Sequence, residues 1–580
     1  MKKITFILAL ILVCSHILLA QNPNENKKPR IALILSGGGA KGIAHIPVLQ
    51  MLDSLGIVPD LVVGNSMGSI VGGLYAMGYS GDSIAHIAKT ANWDNLIGGN
   101  VSLNNVSVEE KTEFGRYLIG MGAKDGKIKL TPFLLNDQNL RTFLADLTYP
   151  VYTNTNFDKL SIPFRAIATD IVNGKEVVLD KGGLAFAMRA SMSIPGAFIP
   201  VPYENTLLID GGVLNNFPVD VAKKLNVDYI IGSDVGGGME PKEKLDNITT
   251  LLFQTGMLHS NLKNPENRAL CDILIDHTSY LSFSTGDFSK SEEIYEEGKI
   301  ATNLNLNALI NLSKKIKEFK QLEHKLPIVN EEIILDTIVY NNISKYNLAL
   351  VKARTNIKTN KSYTKQDILN GINRTMGTTI FSHITFTSLT TKNKKGLQIN
   401  VFEKSKNQIN GAIHYDNYHG IGLVVNYTGR NVIGAASRTL VTLDIAEAPR
   451  FRIQHQKNFG SDREWWWRSE LLGQQIEQDI FINGESVENM KYRFFDFNNQ
   501  INRNINSLKN YVGIGITYQN TTLKPKFNPQ YNNNVFELSK YNYRTMEMDF
   551  HYVRNSFNKV FFATSGTILK GTLSRSLLTD

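Results

Sequence analysis

The chain of 580 residues has 42% hydrophobic, 20% charged and 9% aromatic side chains and a formal net charge of +9. These values exclude a disordered, collagen-like or low-complexity protein, and the length allows roughly three to four domains of about 150 residues each. With only two cysteines, Cys14 and Cys271, a disulfide framework and a multi-cysteine zinc site are excluded as well.

The first twenty residues read as an address. Met1-Lys2-Lys3 is a short basic start, Ile4 to Val13 is an apolar run, and Ile17-Leu18-Leu19-Ala20 ends on a small residue before Gln21. This is the pattern of a secretory signal peptide, residues 1–20, cut after Ala20. Cys14, Ser15 and His16 interrupt the run, which disfavours a membrane anchor. Bulky Val13 disfavours lipidation at Cys14. Cleavage leaves Cys271 without an intrachain partner.

Residues 30–235 alternate strands and helices. Ile31–Leu35 is an apolar strand, followed by the glycine-rich turn Ser36 to Gly42. Ile43 to Leu55 has helical spacing, with Pro47 near the first turn, where proline is tolerated. Leu61-Val62-Val63 is a second strand, and Gly64-Asn65-Ser66-Met67-Gly68 turns sharply into an apolar helix. Strand-turn-helix twice within fifty residues predicts a parallel α/β sheet covered on both faces. Further strands are expected at Phe164–Thr169, Leu207–Asp210 and Tyr229–Ser233. The less regular stretch 92–150 is expected to form a lid. Residues 240–325 are helical and charged, the tail of a first domain spanning 30–325.

Residues 331–404 read as a small α+β unit. Ile333–Tyr340 is strand-like, Thr364 to Asp367 resembles a capping box, and Leu397, Ile399 and Val401 alternate with polar neighbours. From 405 to 580 the pattern is strict alternation: Ile409, Ile413 and Tyr415; Ile421, Leu423, Val425 and Tyr427; Val512, Ile514, Ile516 and Tyr518; Met546, Met548, Phe550 and Tyr552. Segments of about ten residues with one apolar face predict an antiparallel transmembrane β-barrel. Trp465-Trp466-Trp467 fits its aromatic girdle.

Charge divides along the same lines. Residues 21–323 hold 28 basic and 33 acidic side chains, whereas residues 324–580 hold 32 and 20. The basic residues are scattered rather than clustered. In an exported chain this favours an anionic membrane surface over nucleic acid.

Gly64-Asn65-Ser66-Met67-Gly68 is G-x-S-x-G between a strand and a helix. That context forces Ser66 to the top of the sheet as a nucleophile, with the helix N-terminus favouring developing negative charge. Gly64 and Gly68 let the two backbones approach. Gly37-Gly38-Gly39-Ala40-Lys41-Gly42 fits G-x-G-x-x-G, but the acidic residue a dinucleotide site needs at the end of the second strand is missing. Asp60 lies at the wrong end of that strand. The loop is therefore expected to supply backbone N–H groups as an oxyanion hole, with Lys41 as an added positive charge. Asp210 ends an apolar strand ahead of Gly211 and Gly212 and is the expected base. Of the histidines, His45, His86, His259 and His277 fall in the α/β part, and His45 reads as packing. No metal-ligand cluster appears, and neither metal nor cofactor is expected.

The glycine loop at 37–42, G-x-S-x-G at 64–68 and Asp-Gly-Gly at 210–212 together resemble the patatin-like phospholipases. Ala190-Ser191-Met192-Ser193-Ile194-Pro195-Gly196 adds to the likeness, and Pro47 departs from it without touching a catalytic role. The resemblance implies a Ser66–Asp210 dyad, an oxyanion region of Gly37, Gly38, Gly39 and Lys41, and hydrolysis of phospholipid acyl esters. The C-terminal half is similar to outer-membrane barrels preceded by POTRA domains, with 331–404 as a single POTRA-like unit and 405–580 as a partial barrel. The order of parts resembles the patatin-like autotransporters. That barrel family closes with sixteen strands, and 405–580 supplies roughly nine or ten, so a truncated barrel is expected. The implied partners are membrane phospholipids and the outer membrane. A partial barrel is also compatible with a homodimer. The rival reading is an outer-membrane translocation or assembly barrel with a non-catalytic patatin-like domain. A third is a carboxylesterase for small soluble esters.

Overall fold

Ile31–Leu35 is buried along its whole length, as a continuous apolar run must be when a parallel sheet is covered on both faces. The computed structural model describes residues 28–580 apart from 100, 125–126, 130–134, 247, 330, 392–393, 418–419, 506–507 and 527–539. The leader expected at 1–20 lies outside the described residues. The chain forms two units, one of residues 1–91, 154–195 and 200–328, the other of residues 92–153, 196–199 and 329–580.

In the first unit the strands are β1 (Ile31–Leu35), β2 (Leu61–Asn65), β3 (Phe164–Asp170), β4 (Lys175–Leu179), β5 (Val201–Tyr203), β6 (Thr206–Asp210), β7 (Tyr229–Asp234) and β8 (Ile273–Asp276). They stand in the order β8-β7-β1-β2-β3-β6-β5, with β4 beside β3. The β8, β7, β1, β2 and β3 neighbours pair in parallel, whereas β6 runs antiparallel to β3. A 3-10 turn, Gly39–His45, leads into helix α1 (Ile46–Ser54), with Pro47 in its first turn. Helix α2 (Met67–Ala76) is buried on every side, and α3 (Leu184–Ser191) and α4 (Ile248–Ala269) follow. The α/β, parallel-rich architecture agrees with the sequence reading.

The second unit contains the small α+β element. Thr337–Asn341 pairs in parallel with Lys394–Glu403, which pairs antiparallel with Phe381–Thr391. The helix Lys365–Met376 opens with a complete Thr364–Asp367 capping box. Beyond it an antiparallel ladder runs from Asn407–Asp416 to Ile568–Thr579. Among the described residues this ladder is open. Its face assignment is the reverse of a soluble sheet. Ile413, Tyr415, Ile421, Leu443, Ile514 and Phe550 are exposed, whereas Asn426, Arg438, Gln454, Gln456 and Asn502 are buried. The polar face is wired by ladders such as Asn410 Nδ2 to Asn426 Oδ1 at 2.9 Å and Asn426 Nδ2 to Thr442 Oγ1 at 2.8 Å. Strict alternation also divides the tryptophan triplet. Trp466 is fully buried and donates to Asn504 Oδ1 at 3.1 Å, so at most Trp465 and Trp467 can face outward.

The stretch expected to be a lid belongs to this second unit. Its strand Ile119–Lys124 adds to the ladder beside Asn407–Asp416, with Met121 opposite Ile409. Just before it, three acidic side chains meet arginines of the ladder's polar face and of the helix that precedes it. Glu110 accepts from Arg438 at 2.5 Å and Arg430 at 3.2 Å, Glu109 pairs with Arg354 at 3.2 Å, and Glu113 pairs with Arg452. Removing one partner of such a group leaves an uncompensated buried charge and costs about 3–5 kcal/mol. Glu110→Ala is therefore expected to lower the thermal unfolding midpoint in detergent micelles strongly, and Glu110→Gln to lower it less. An unchanged midpoint in Glu110→Ala would refute this account of the insertion.

Candidate active site

Ser66 sits between the end of β2 and the start of α2 with φ 51° and ψ −124°. A non-glycine residue in that region is strained, and the surroundings hold it there. The Ser66 N–H donates to Ser191 Oγ at 2.9 Å, and the Ser66 carbonyl accepts from Ser69 Oγ at 2.7 Å. The glycines on either side are sterically required. A Cβ at Gly64 would strike the Gly68 carbonyl, and one at Gly68 would strike the carbonyls of Leu35 and Ser36.

Asp210 arrives at the same level by register, not by ending a parallel strand. Asn65 of β2 is level with Ile167 of β3, and Asp210 of β6 is level with Ala168. One strand thus separates the two residues, and Ser66 follows directly on Asn65. The Asp210 carboxylate neighbours the Ser66 hydroxyl, which favours its charged form. It also accepts the Gly212 N–H at 2.7 Å and Asn65 Nδ2 at 3.5 Å. Burial is the largest influence on this carboxyl and pushes its pKa up to about 6; the bonds from Ser66, Gly212 and Asn65 and the charge of Arg189 pull the other way.

The glycine loop leaves β1 through Ser36. The Gly37 N–H is already donated to Asn216 O at 3.1 Å, which narrows the loop's candidate oxyanion donors to Gly38 and Gly39. The Lys41 ammonium lies against Gly237 in the loop after β7. Gly42 lets the 3-10 turn close on Met67, where a Cβ would collide. Gly211 and Gly212 begin a 3-10 turn capped by Asp210.

Two asparagines that sequence reasoning passed over join these parts. Asn65 Nδ2 donates to Asn216 Oδ1 at 3.0 Å, and Asn216 Nδ2 donates to the Gly37 carbonyl at 3.0 Å. Asn65 is an unassigned position of G-x-S-x-G, and Asn216 follows Asp-Gly-Gly by four residues. The available signal was a pair of adjacent amides, Asn215-Asn216, in an otherwise apolar segment.

Helix α4 covers this region with its polar side. Ser260, Asn264 and Asn267 are buried. Ser260 Oγ accepts the Asn216 N–H at 2.6 Å, Asn264 Nδ2 donates to Asp234 Oδ2 at 3.2 Å, and Asn267 Nδ2 donates to Asn215 Oδ1 at 3.0 Å. Leu251, Leu252, Leu258 and Leu262 point outward and are exposed. Buried His45 and His277 bond to Ser233 rather than to the Ser66–Asp210 pair. Among the described residues, no three His, Cys, Asp or Glu side chains come together as a metal-binding group.

Residues 33–223 match the family model described as patatin-like phospholipase. The chain is 34% identical over 212 residues to an uncharacterized NTE family protein of Mycobacterium tuberculosis, an alignment covering 37% of this chain and 51% of that protein. It is 28% identical over 310 residues to the lysophospholipase NTE1 of Meyerozyma guilliermondii, covering 47% of this chain and 19% of that one. The chain spans about half the length of the first of these relatives. Among solved structures, BamA of Haemophilus ducreyi lacking POTRA domains 1–3 is similar with a TM-score of 0.32 and 11% identity, over 42% of this chain and 48% of that one.

Proposed function

We propose that the chain is an exported serine lipid acyl hydrolase, phospholipase A-like, anchored in an outer membrane by its antiparallel sheet. The observation that carries the reading is the strained, buried Ser66 one strand away from Asp210, a carboxylate that burial has made more basic. The patatin-like family match over 33–223 supports the same chemistry.

In the proposed reaction Ser66 Oγ attacks the acyl carbonyl carbon while its proton passes to the Asp210 carboxylate. The carbonyl oxygen becomes an oxyanion facing the N–H groups of Gly38 and Gly39, each such donor being worth about 2.7–4 kcal/mol in the transition state. Collapse breaks the ester C–O bond. The proton on Asp210 goes to the departing alkoxide, releasing a lysophospholipid and leaving the acyl group on Ser66. A water then adds to the acyl carbon, giving its proton to Asp210. The fatty acid leaves as that proton returns to Ser66 Oγ.

A lipid surface suits the site better than a small soluble ester. The leucines of α4 face outward directly behind the Asp210–Asn216 segment, where they would meet an apolar surface. The test is fatty-acid release by the full chain in detergent or liposomes, on phospholipid vesicles against a soluble short-chain ester. A rate on vesicles many times the rate on the soluble ester is expected. The reverse preference would make the chain a carboxylesterase. A folded chain inert on both would favour the translocation reading.

Membrane anchoring rests on the exposed apolar face of the ladder, since no described helix is long and apolar enough to cross a bilayer. Arginine on the lipid face of a barrel costs about 2–4 kcal/mol near the midplane. Phe550→Arg is expected to reduce the fraction of chain assembled in outer membranes sharply. Gln519→Lys, on the opposite face and in register with Asp496, is expected to assemble normally. Equal assembly of Phe550→Arg and wild type would remove the anchoring role.

A further inference from the structure

We propose that His45 is a positioning residue for the glycine loop, acting on the loop through the Ser36 carbonyl and held in place by Ser233 and His277. The proposal rests on the acyl-hydrolase reading above.

The bonds fix every proton in the chain of groups. A carbonyl only accepts, so His45 Nε2 donates to Ser36 O, at 2.9 Å. Burial holds His45 neutral, lowering its pKa to about 4 against the smaller pulls of the Ser36 bond and of Asp234. Its Nδ1 is then an acceptor, and the Ser233 hydroxyl donates to it at 2.7 Å. Ser233 Oγ in turn accepts from His277 Nε2 at 3.0 Å. Burial is also the largest influence on His277, taking it to about 3; His45 adds to the depression and Asp276 opposes it. A neutral His277 protonated on Nε2 must carry a bare Nδ1, and that atom is buried without a hydrogen-bond partner among the described residues. The tautomers therefore follow from the geometry.

The line ends on the residue that launches the glycine loop. Ser36 is tied at three points. Its N–H donates to Ser233 O at 3.1 Å, its Oγ accepts the Val235 N–H at 2.9 Å, and its carbonyl takes the His45 proton. Gly37, Gly38 and Gly39 have no side chains by which to be held, and glycine backbones are the most permissive. Donors aimed at an oxyanion need a fixed backbone to be worth their full effect. Ser36 supplies that fixed point on one side, and Asn216 supplies it at Gly37.

The full chain in micelles is assayed on phospholipid as wild type, His45→Leu, His45→Gln and Ser233→Ala. His45→Leu removes both bonds and is expected to lower kcat roughly 10- to 100-fold, less than full loss of a donor, with KM within about threefold. His45→Gln keeps a donor within reach of Ser36 and is expected to regain most of that loss. Ser233→Ala, a milder change that keeps the fold if His45→Leu does not, is expected to lose about threefold or more in kcat. The proposal is overturned by full kcat in His45→Leu or in Ser233→Ala, or by His45→Gln as impaired as His45→Leu. A wild-type chain that releases no fatty acid would sink the acyl-hydrolase reading itself. An active wild type with an equally active His45→Leu would sink this proposal alone.

Discussion

Ser66→Ala is expected to lower kcat on phospholipid by on the order of 10⁴-fold or more, as loss of a covalent nucleophile does elsewhere. The side chain at 66 is a small buried hydroxyl on an elbow held by backbone and neighbours, so alanine fits without moving the fold. KM is expected to change little, because the hydroxyl contributes only as the reaction begins. A fluorophosphonate probe, which forms a phosphorus–oxygen bond to an activated serine with loss of fluoride, is expected to label wild type and not the variant. Labelling or hydrolysis that survives in Ser66→Ala would place the nucleophile elsewhere.

Asp210→Asn is expected to cost about 10²–10⁴-fold in kcat, the usual contribution of a positioned base, and to change the pH profile in a way Ser66→Ala cannot. Only the carboxylate form of Asp210 accepts the serine proton. With its pKa near 6, kcat/KM of wild type is expected to fall about tenfold per pH unit below that value and to level off above it. The residual activity of Asp210→Asn is expected to lack this limb. Stability moves oppositely. The folded chain holds the Asp210 proton more tightly than the unfolded chain does, so stability from this group is complete below about pH 4 and lost as pH rises through about 6. At pH 8 the ionised, buried carboxylate costs about 3 kcal/mol relative to a neutral group, and Asp210→Asn is expected to raise the unfolding midpoint there. At pH 4 the two chains are expected to melt alike. A variant less stable at pH 8 would mean that the carboxylate is better solvated than its burial indicates.

Much of the site was legible because its signals are local. An apolar run, a glycine cluster and a second apolar run specify β1, the loop and β2 within forty residues. The same holds for the capping box at Thr364 and for the alternation from 405 onward. What was hidden depends on partners far along the chain. No local feature says that β6 runs antiparallel to β3, and the level of Asp210 follows from that pairing rather than from a strand end. The insertion at 92–153 finds its strand partner at Ile409, nearly three hundred residues later, so it read as irregular. Helix α4 read only as charged and helical, because a leucine face turned outward looks in sequence like any core face. Asn65 and Asn216 carried no motif of their own.

The interleaving of the two units sets a timetable for the newborn chain. Five times the backbone passes from one unit to the other, and the strand at 119–124 cannot be hydrogen-bonded to its neighbour until residues 407–416 exist. At typical synthesis rates of about 5–20 residues per second, roughly a quarter of a minute to a minute separates the making of the two strands. Throughout that interval, Glu110 has neither Arg430 nor Arg438 to meet and the strand at 119–124 has no ladder to join. A fragment ending at 328 would keep those sixty residues in that orphaned condition permanently. The insertion at 92–153 is thus not a detachable part, and its pairing waits on strands made long after it.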